Sequence, residues 1–308
     1  MFRKKVSMSL VKELRESSGA PILDCMKALS DEEVKGNIKA AYAWLRKKGI
    51  SKASSLNNRS ANEGLIGIKN DGKKGIIVEV NCETDFVART ESFHDLVANA
   101  ISTAKYIDEV HMQIPKVQNV LDSEVPNTKH CFREMLADSI GAIRENISLK
   151  RIDTISASHD GVLASYVHGS YLPGRNMGRS GALISLKYIG KRNDAKDMLQ
   201  DIAKKLAMHC VAAKPRYLCK NAIPDSDILQ EKEILKEQLK NSGKSQIIQD
   251  KIIEGRTNNF FSETTLKGQN HMIVDGNPKV ETYLQKMGHE LNGTIEILDF
   301  VRYEVGGK

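Results

Sequence analysis

The chain has 308 residues, more than one average domain, so two or three structural modules are expected. Its hydrophobic share of 40% is typical of a soluble protein with a buried core, and no apolar run approaches the roughly 18 residues of a membrane span. The net charge is +7, but aromatic residues make up only 5% and do not interleave with the basic runs, as a single-strand binder would need. We therefore expect no membrane association and no direct nucleic-acid binding, with an RNA-binding protein kept as an alternative because of the net charge.

The N-terminal region is predicted to be a small helical unit. Residues 10–15 begin a short helix, which the Gly19-Ala20-Pro21 turn ends because proline cannot continue a helix. A second helix is predicted over residues 22–29, and a third begins at Asn37 with apolar residues at i, i+3, i+4 and i+7 spacing. These elements predict a three-helix bundle over residues 1–50, followed by a linker rich in Ser, Asn and Lys over residues 51–62.

The next region combines strands and helices. Its predicted elements are strands at 65–68, 76–80 and 149–157 and helices at 93–104 and 129–146. Asn70-Asp71-Gly72 joins the first two strands and is a strong hairpin signal. Residues 108–127 are expected to be irregular, and the strand at 149–157 is expected to pair with one at 162–167. We predict a core subdomain N over residues 63–157.

The remaining chain repeats the order of strands followed by helices. Its predicted elements are strands at 162–167, 182–189 and 295–305 and helices at 194–213 and 279–291. Two further helices on either side of Ser242-Gly243 predict an antiparallel helical hairpin over residues 225–260. The hairpin would divide a core subdomain C into residues 158–224 and 261–308. The whole pattern predicts an α+β fold with antiparallel strands.

One stretch concentrates polar and aromatic side chains at the end of a predicted strand. After the apolar run 76–78, Thr84, Asp85, Phe86 and Val87 place a carboxylate beside an aromatic ring. In one interpretation, Thr84 or Asp85 caps the next helix and Phe86 packs beneath it. In the other, both side chains are exposed, so that the ring enters a partner's pocket while the acid competes for a donor or cation there. The local pattern favours the first interpretation.

No enzymatic signature accompanies this stretch. The sequence lacks a P-loop and the Gly-x-Gly-x-x-Gly, His-Glu-x-x-His and Gly-x-Ser-x-Gly motifs, so we predict no catalytic residue, metal site or cofactor. A thiol enzyme centred on Cys82 remains an alternative. His168, which precedes a glycine-rich loop, is either a turn residue or a binding group. The cysteines lack zinc spacing and predict free thiols in a reducing compartment; they are Cys25, Cys82, Cys131, Cys210 and Cys219.

Several stretches, taken in order, resemble one family, elongation factor Ts. The sequence Thr84-Asp85-Phe86-Val87 looks like part of the family's signature. The ordered set covers nearly the whole chain and is more specific than any one stretch. The resemblance implies a ubiquitin-associated-like N-terminal bundle, two α+β core subdomains and a coiled-coil hairpin. The matching residues are 10–15, 19–20, 24–25, 27–29, 79–89, 145–147, 166–169, 207–209, 214–215, 254–256 and 300–305.

The resemblance implies a guanine-nucleotide exchange factor rather than an enzyme. Its partner would be the GTPase elongation factor Tu, whose magnesium and phosphate site it would disturb so that GDP leaves and GTP binds. Asp85 and Phe86 would enter the partner near the magnesium site, with Thr84 and Val87 beside them, and His168 would approach the phosphate loop. The N-terminal docking surface would consist of Val11, Lys12, Arg15, Ile22 and Leu23.

Some positions differ from the family pattern. Met26 stands where a lysine is usual, and Arg144 replaces the common glycine before Glu145-Asn146, which would alter a close approach there. The sequence of residues 81–89 looks most like that of mitochondrial members of the family. Residues 1–9 are basic and lack an apolar core, as expected for the remnant of a transit peptide rather than a secretory signal. We expect a mitochondrial matrix location, with a bacterial cytoplasm as the alternative.

Overall fold

The computed structural model describes residues 6–56, 58–191, 195–240 and 245–307, and its fold is α+β as predicted. The basic residues 3–5 and the predicted turn at 242–243 lie outside the described residues. Within the described ranges, no helix is long and apolar enough to cross a membrane.

The N-terminal region contains three helices that share a small core. They are α1 (Met8–Ser18), α2 (Ile22–Ser30) and α3 (Ile38–Leu56). Val11, Leu14, Cys25 and Leu29 are buried between them because they recur on one face of each short helix. The prediction of a linker from residue 51 was wrong for its first half, since α3 continues to Leu56. The side chain of Leu56 is buried with the core that follows, so tertiary packing extends a helix whose last residues are polar.

The first core half is a four-stranded antiparallel sheet covered by helices. Its strands are β1 (Glu63–Asn70), β2 (Lys74–Cys82), β3 (Ser148–Ser156) and β5 (Met177–Gly178), in the order β3-β2-β1-β5. Its helices are α4 (Asp85–Ala88), α5 (Glu91–Val110), α6 (Val117–Asp122) and α7 (Phe132–Ile143). The helix α6 lies in the segment that was expected to be irregular; it is a short helix of 6 residues anchored by the buried Val120.

The second core half is a three-stranded antiparallel sheet. Its strands are β4 (Gly161–His168), β6 (Ser180–Gly190) and β7 (Gly293–Glu304), in the order β4-β6-β7. The helices α8 (Ala195–Ala213) and α11 (Val280–Glu290) pack on this sheet. The expected pairing of β3 with β4 was wrong, because the two strands belong to different sheets. Ile155 of β3 and Leu163 of β4 instead share an apolar cluster that joins the halves.

A helical hairpin interrupts the second half. It consists of α9 (Asp225–Leu239) and α10 (Gln246–Thr264), preceded by a 3-10 turn at Lys220–Ala222. A small apolar cluster, with Leu235, Leu239 and Ile253 at its centre, holds the described parts of the two helices together, and the guanidinium of Arg256 donates to the side-chain oxygen of Gln238 at 3.0 Å. We retain the predicted division into subdomains as a proposal, with the second hairpin helix extended to Thr264.

Candidate functional site

The turn that follows β2 is capped by Thr84. Its hydroxyl oxygen accepts the backbone N–H of Val87 at 3.4 Å, as predicted for a helix N-cap. Val87 and Ala88 pack on the first core, whereas the side chain of Phe86 is 78% exposed. The interpretation in which Phe86 packs beneath the helix was therefore wrong, and the ring is exposed, as the other interpretation expects. The C-terminal end of the single-turn helix α4 is buried, and the ring of Phe86 remains in solvent.

The exposed phenylalanine at the tip of this turn presents an apolar ring to solvent. Burial of a benzyl side chain lowers the free energy of the folded protein. The exposed ring of Phe86 therefore does not stabilise the fold. The neighbouring carboxylate of Asp85 pairs with Arg89 at 3.0 Å, and the guanidinium of Arg89 lies 4.7 Å from the ring centre of Tyr171. Arg89 contacts only Oδ2 of Asp85, and a carboxylate accepts several hydrogen bonds, so Oδ1 can accept a further donor.

Glu145 and Asn146 hold this turn from the opposite side. One carboxylate oxygen of Glu145 accepts the backbone N–H groups of Glu83 and Thr84 at 3.1 and 3.0 Å. The other accepts the hydroxyl of Thr84 at 2.6 Å, while the N–H of Asn146 donates to the carboxylate of Glu83 at 2.7 Å. The sequence analysis matched Glu145-Asn146 to a family stretch but missed this role. The helix was predicted to run to residue 146, but α7 ends at Ile143, which leaves the carboxylate of Glu145 and the backbone N–H of Asn146 free to bond to the turn.

A buried carboxylate ties the C-terminal strand to the first sheet. Glu79 is fully buried and accepts a hydrogen bond from the guanidinium of Arg151 at 2.6 Å and one from the backbone N–H of Gly306 at 3.0 Å. The same guanidinium lies 4.1 Å from the ring centre of Tyr303. These contacts, which the sequence did not predict, fix the two core halves against each other.

His168 ends β4 and is exposed. Its Nδ1 lies 3.3 Å from the hydroxyl of Tyr166, and both side chains line a recess of about 410 Å³ that also includes Lys214 and Arg302. The loop that begins after His168 carries Tyr171, which contacts Arg89. His168 and the Phe86 turn are thus linked through one loop, although no direct contact joins them.

Four of the five residues predicted for the N-terminal docking surface are exposed. Lys12 and Arg15 face solvent on α1, and Ile22 and Leu23 are 42% and 66% exposed at the start of α2. The prediction that Val11 belongs to the docking surface was wrong, because Val11 is only 2% exposed and lies in the bundle core. Val11 and Leu14 form the buried face of α1, so the helical period turns Lys12 and Arg15 outward.

Cys82 does not have the environment of a nucleophile. Its side chain is fully buried, and the thiol donates to the backbone oxygen of Thr84 at 3.1 Å. Burial, together with the nearby carboxylates of Glu145 and Glu63, raises the pKa of Cys82 to about 12. Since the thiolate is the reactive form, this thiol is inert near neutral pH.

Comparison with known proteins identifies one family. The family model described as "Elongation factor TS" matches residues 83–307, which is more than half of the chain. Elongation factor Ts of Paramagnetospirillum magneticum is 37% identical over 304 residues, covering 98% of this chain and 92% of its own. Elongation factor Ts of Rhodospirillum centenum (35% over 302 residues) and of Orientia tsutsugamushi (36% over 301 residues) each match over 98% of this chain and 93% and 92% of their own. The chain therefore belongs to the elongation factor Ts family of translation elongation factors.

Proposed function

We propose that this protein is a guanine-nucleotide exchange factor for elongation factor Tu and catalyses no bond-making reaction. The observation that carries the proposal is the rigid exposure of Phe86 on a turn held by Glu145. A ring fixed in this way enters a partner's pocket without first losing the conformational freedom of a mobile loop. Family membership supports the choice of partner.

The mechanism is reciprocal weakening of two binding events. The protein binds the nucleotide-free GTPase better than the GDP-bound form, so GDP and the exchange factor each lower the other's affinity. Phe86 separates side chains near the partner's magnesium site, and Asp85, which pairs with Arg89, accepts a hydrogen bond from a donor of the partner. Disturbing the magnesium ion and the phosphate loop removes the charges and N–H groups that hold the GDP phosphates.

The other predicted site residues orient this turn on the partner. Thr84 holds the turn by capping α4, and Val87 holds it by packing on the first core. His168 approaches the phosphate loop from its exposed position at the end of β4. The exposed face of the N-terminal bundle docks on the nucleotide-binding domain; its residues are Lys12, Arg15, Ile22 and Leu23.

The compartment is proposed from the relatives. The relatives named above are bacterial, which supports a bacterial cytoplasm, the alternative location given by the sequence. Their names carry no mitochondrial qualifier, so the mitochondrial matrix stays a prediction, as do the ubiquitin-associated-like and coiled-coil assignments.

Release of labelled GDP from elongation factor Tu tests the proposal. The complex is diluted into excess unlabelled GDP with and without this protein, at several magnesium concentrations. We expect faster release that increases with protein concentration, and a smaller relative gain once a chelator has removed magnesium. An unchanged release rate would overturn the exchange proposal. A strong RNA affinity that falls steeply with salt, combined with no effect on release, would favour the RNA-binding alternative.

A further inference from the structure

Arg144 occupies a backbone position that suits glycine. It ends α7 with φ 68° and ψ 24°, in the left-handed region that side chains with a Cβ rarely adopt. Its N–H closes the helix by donating to the backbone oxygen of Ile140 at 2.8 Å. This conformation costs free energy for an arginine, and a contact of its side chain would offset part of that cost.

That contact reaches the N-terminal bundle. The Arg144 Nη2 lies 2.7 Å from Oδ2 of Asp24 on α2, and the ammonium of Lys48 on α3 lies 3.4 Å from Oδ1. The side chain of Asp24 is only 13% exposed. Burial by itself would raise the pKa of Asp24, but Arg144 and Lys48 together hold this pKa below its ordinary value. The pair is therefore a partly buried bridge between the bundle and the first core half.

The bridge lies beside a close contact between helices α3 and α7. Helices α3 and α7 cross where Gly49 meets Gly141, and a Cβ built on Gly141 would lie 3.2 Å from the Cα of Gly49. The guanidinium of Arg46 lies 2.8 Å from the carboxylate of Glu134 beside the crossing. The bundle is thus packed against α7 rather than tethered to it.

The two residues after Arg144 hold the Phe86 turn. Glu145 accepts three hydrogen bonds from Glu83 and Thr84, and Asn146 donates one to Glu83. Three consecutive residues therefore bond to the bundle on one side and to the Phe86 turn on the other. A backbone rotation at Arg144 would change the direction in which Glu145 holds Thr84.

We propose that Arg144 is a positioning residue, which couples the N-terminal bundle to the Phe86 turn so that docking of one surface orients the other. This inference rests on the proposed exchange function. With the bridge intact, the two surfaces bind the partner as one pre-organised body, and their contributions to affinity depend on each other. Without it, α3 still packs on α7, but Glu145 is no longer fixed relative to the bundle, so the orientation of the Phe86 turn becomes independent of bundle docking.

The variant Arg144→Gly tests the role because it removes the guanidinium and suits the left-handed backbone, so the fold is preserved. The matched variant Arg144→Lys retains a cation that reaches toward Asp24. Spin labels on cysteines introduced at the exposed Lys39 and Glu109 report the distance between bundle and core, on a background in which Cys131 and Cys219 are serine. We expect a broader distance distribution for Arg144→Gly and a largely restored one for Arg144→Lys. Equal distributions for wild type and Arg144→Gly would overturn the proposal.

A double-mutant cycle tests the coupling itself. Affinity for nucleotide-free elongation factor Tu is measured for Leu23→Ala, Phe86→Ala and the double variant, each with Arg144 and with glycine at that position. With Arg144 present, the fold-loss of affinity in the double variant should differ from the product of the two single fold-losses by about threefold or more. In the Arg144→Gly background, the double variant's fold-loss should equal that product. An equal deviation in both backgrounds, with normal wild-type GDP release, would overturn the coupling and leave the exchange function standing. Absence of wild-type GDP release would overturn the exchange function itself.

Discussion

The hydroxyl of Thr84 donates to Oε1 of Glu145 at 2.6 Å, so the turn that exposes Phe86 is fixed by a residue 61 positions later in the chain. The same threonine oxygen accepts the N–H of Val87 and begins α4. One side chain thus caps a helix and receives its own orientation from another element. This relationship allows a short turn, with few buried atoms, to hold an aromatic ring in water.

Replacement of Glu145 by glutamine should loosen the turn. The carboxylate accepts three hydrogen bonds, and an amide would present an NH₂ group to at least one of these donors. We expect a loss of about 1–3 kcal/mol in the free energy of unfolding by urea, because hydrogen bonds to a charged, partly buried acceptor are lost. GDP release should slow as well. The control is Glu109→Gln, whose exposed carboxylate pairs with Lys105 on the same helix; equal behaviour of the two variants would contradict this role.

Gly64 should tolerate alanine far less than Gly72 does. Both have positive φ, 141° and 87°, but a Cβ at Gly64 would lie 2.1 Å from the backbone oxygen of Val80, whereas Gly72 has nothing within 4 Å. Gly64→Ala must shift β1 against β2 and should cost about 3 kcal/mol or more of unfolding free energy. Gly72→Ala should cost about 1–2 kcal/mol, from its backbone conformation. Thermal denaturation of both variants distinguishes them, and similar losses would show that the close approach at Gly64 is unimportant.

Alkylation should separate the cysteines by burial. Cys82 has a pKa of about 12 and no exposed surface, whereas Cys131 and Cys219 are partly exposed. Iodoacetamide at neutral pH should modify the latter two first and leave Cys82 unreacted, as mass spectrometry of peptides would show. Cys82→Ala should retain GDP-release stimulation at a modest cost in stability. Rapid labelling of Cys82, with loss of activity in that variant, would revive the thiol-enzyme alternative.

Acid should destabilise the second core half through His271. Burial, with added repulsion from His209 and Lys205, lowers the pKa of His271 from 6.5 to about 4. Below pH 6.5 the unfolded chain binds a proton that the folded chain does not take up until about pH 4, so stability falls as pH falls through this window. The loss should reach roughly 2 kcal/mol at pH 5.

Urea denaturation at pH 7 and pH 5 measures this effect. His271→Gln should show a flatter pH dependence than wild type. The control is His159→Gln, since the side chain of His159 is 98% exposed. A pH dependence that is identical in wild type and His271→Gln would rule out this histidine as the cause.

Local patterns predicted the elements well where one signal dominates. The Asn70-Asp71-Gly72 turn joins β1 and β2, and Thr84 caps α4. Apolar periodicity also located α1, but it does not say which face a docking residue occupies unless the whole face is traced. The family resemblance placed Val11 on the docking surface, although it shares the buried stripe of Leu14.

Long-range relationships were not predictable from a single sequence. Strand signals do not state which strand pairs with which, so β3 and β4 were expected together although they lie in different sheets. Likewise, Arg144 was interpreted as a substitution that alters a close approach, because nothing local indicated that its side chain reaches Asp24. Contacts between groups more than a hundred residues apart depend on how whole helices cross.

The most direct test of the account is GDP release from elongation factor Tu with Phe86→Ala. The control is Met112→Ala, because Met112 is also a large apolar side chain, 86% exposed, and belongs to no proposed site. We expect Phe86→Ala to fold with unchanged circular dichroism and to lose at least about tenfold of its stimulation of release, the loss that corresponds to about 1.4 kcal/mol. Met112→Ala should match wild type. Wild-type release rates with Phe86→Ala would contradict the claim that this ring performs the exchange.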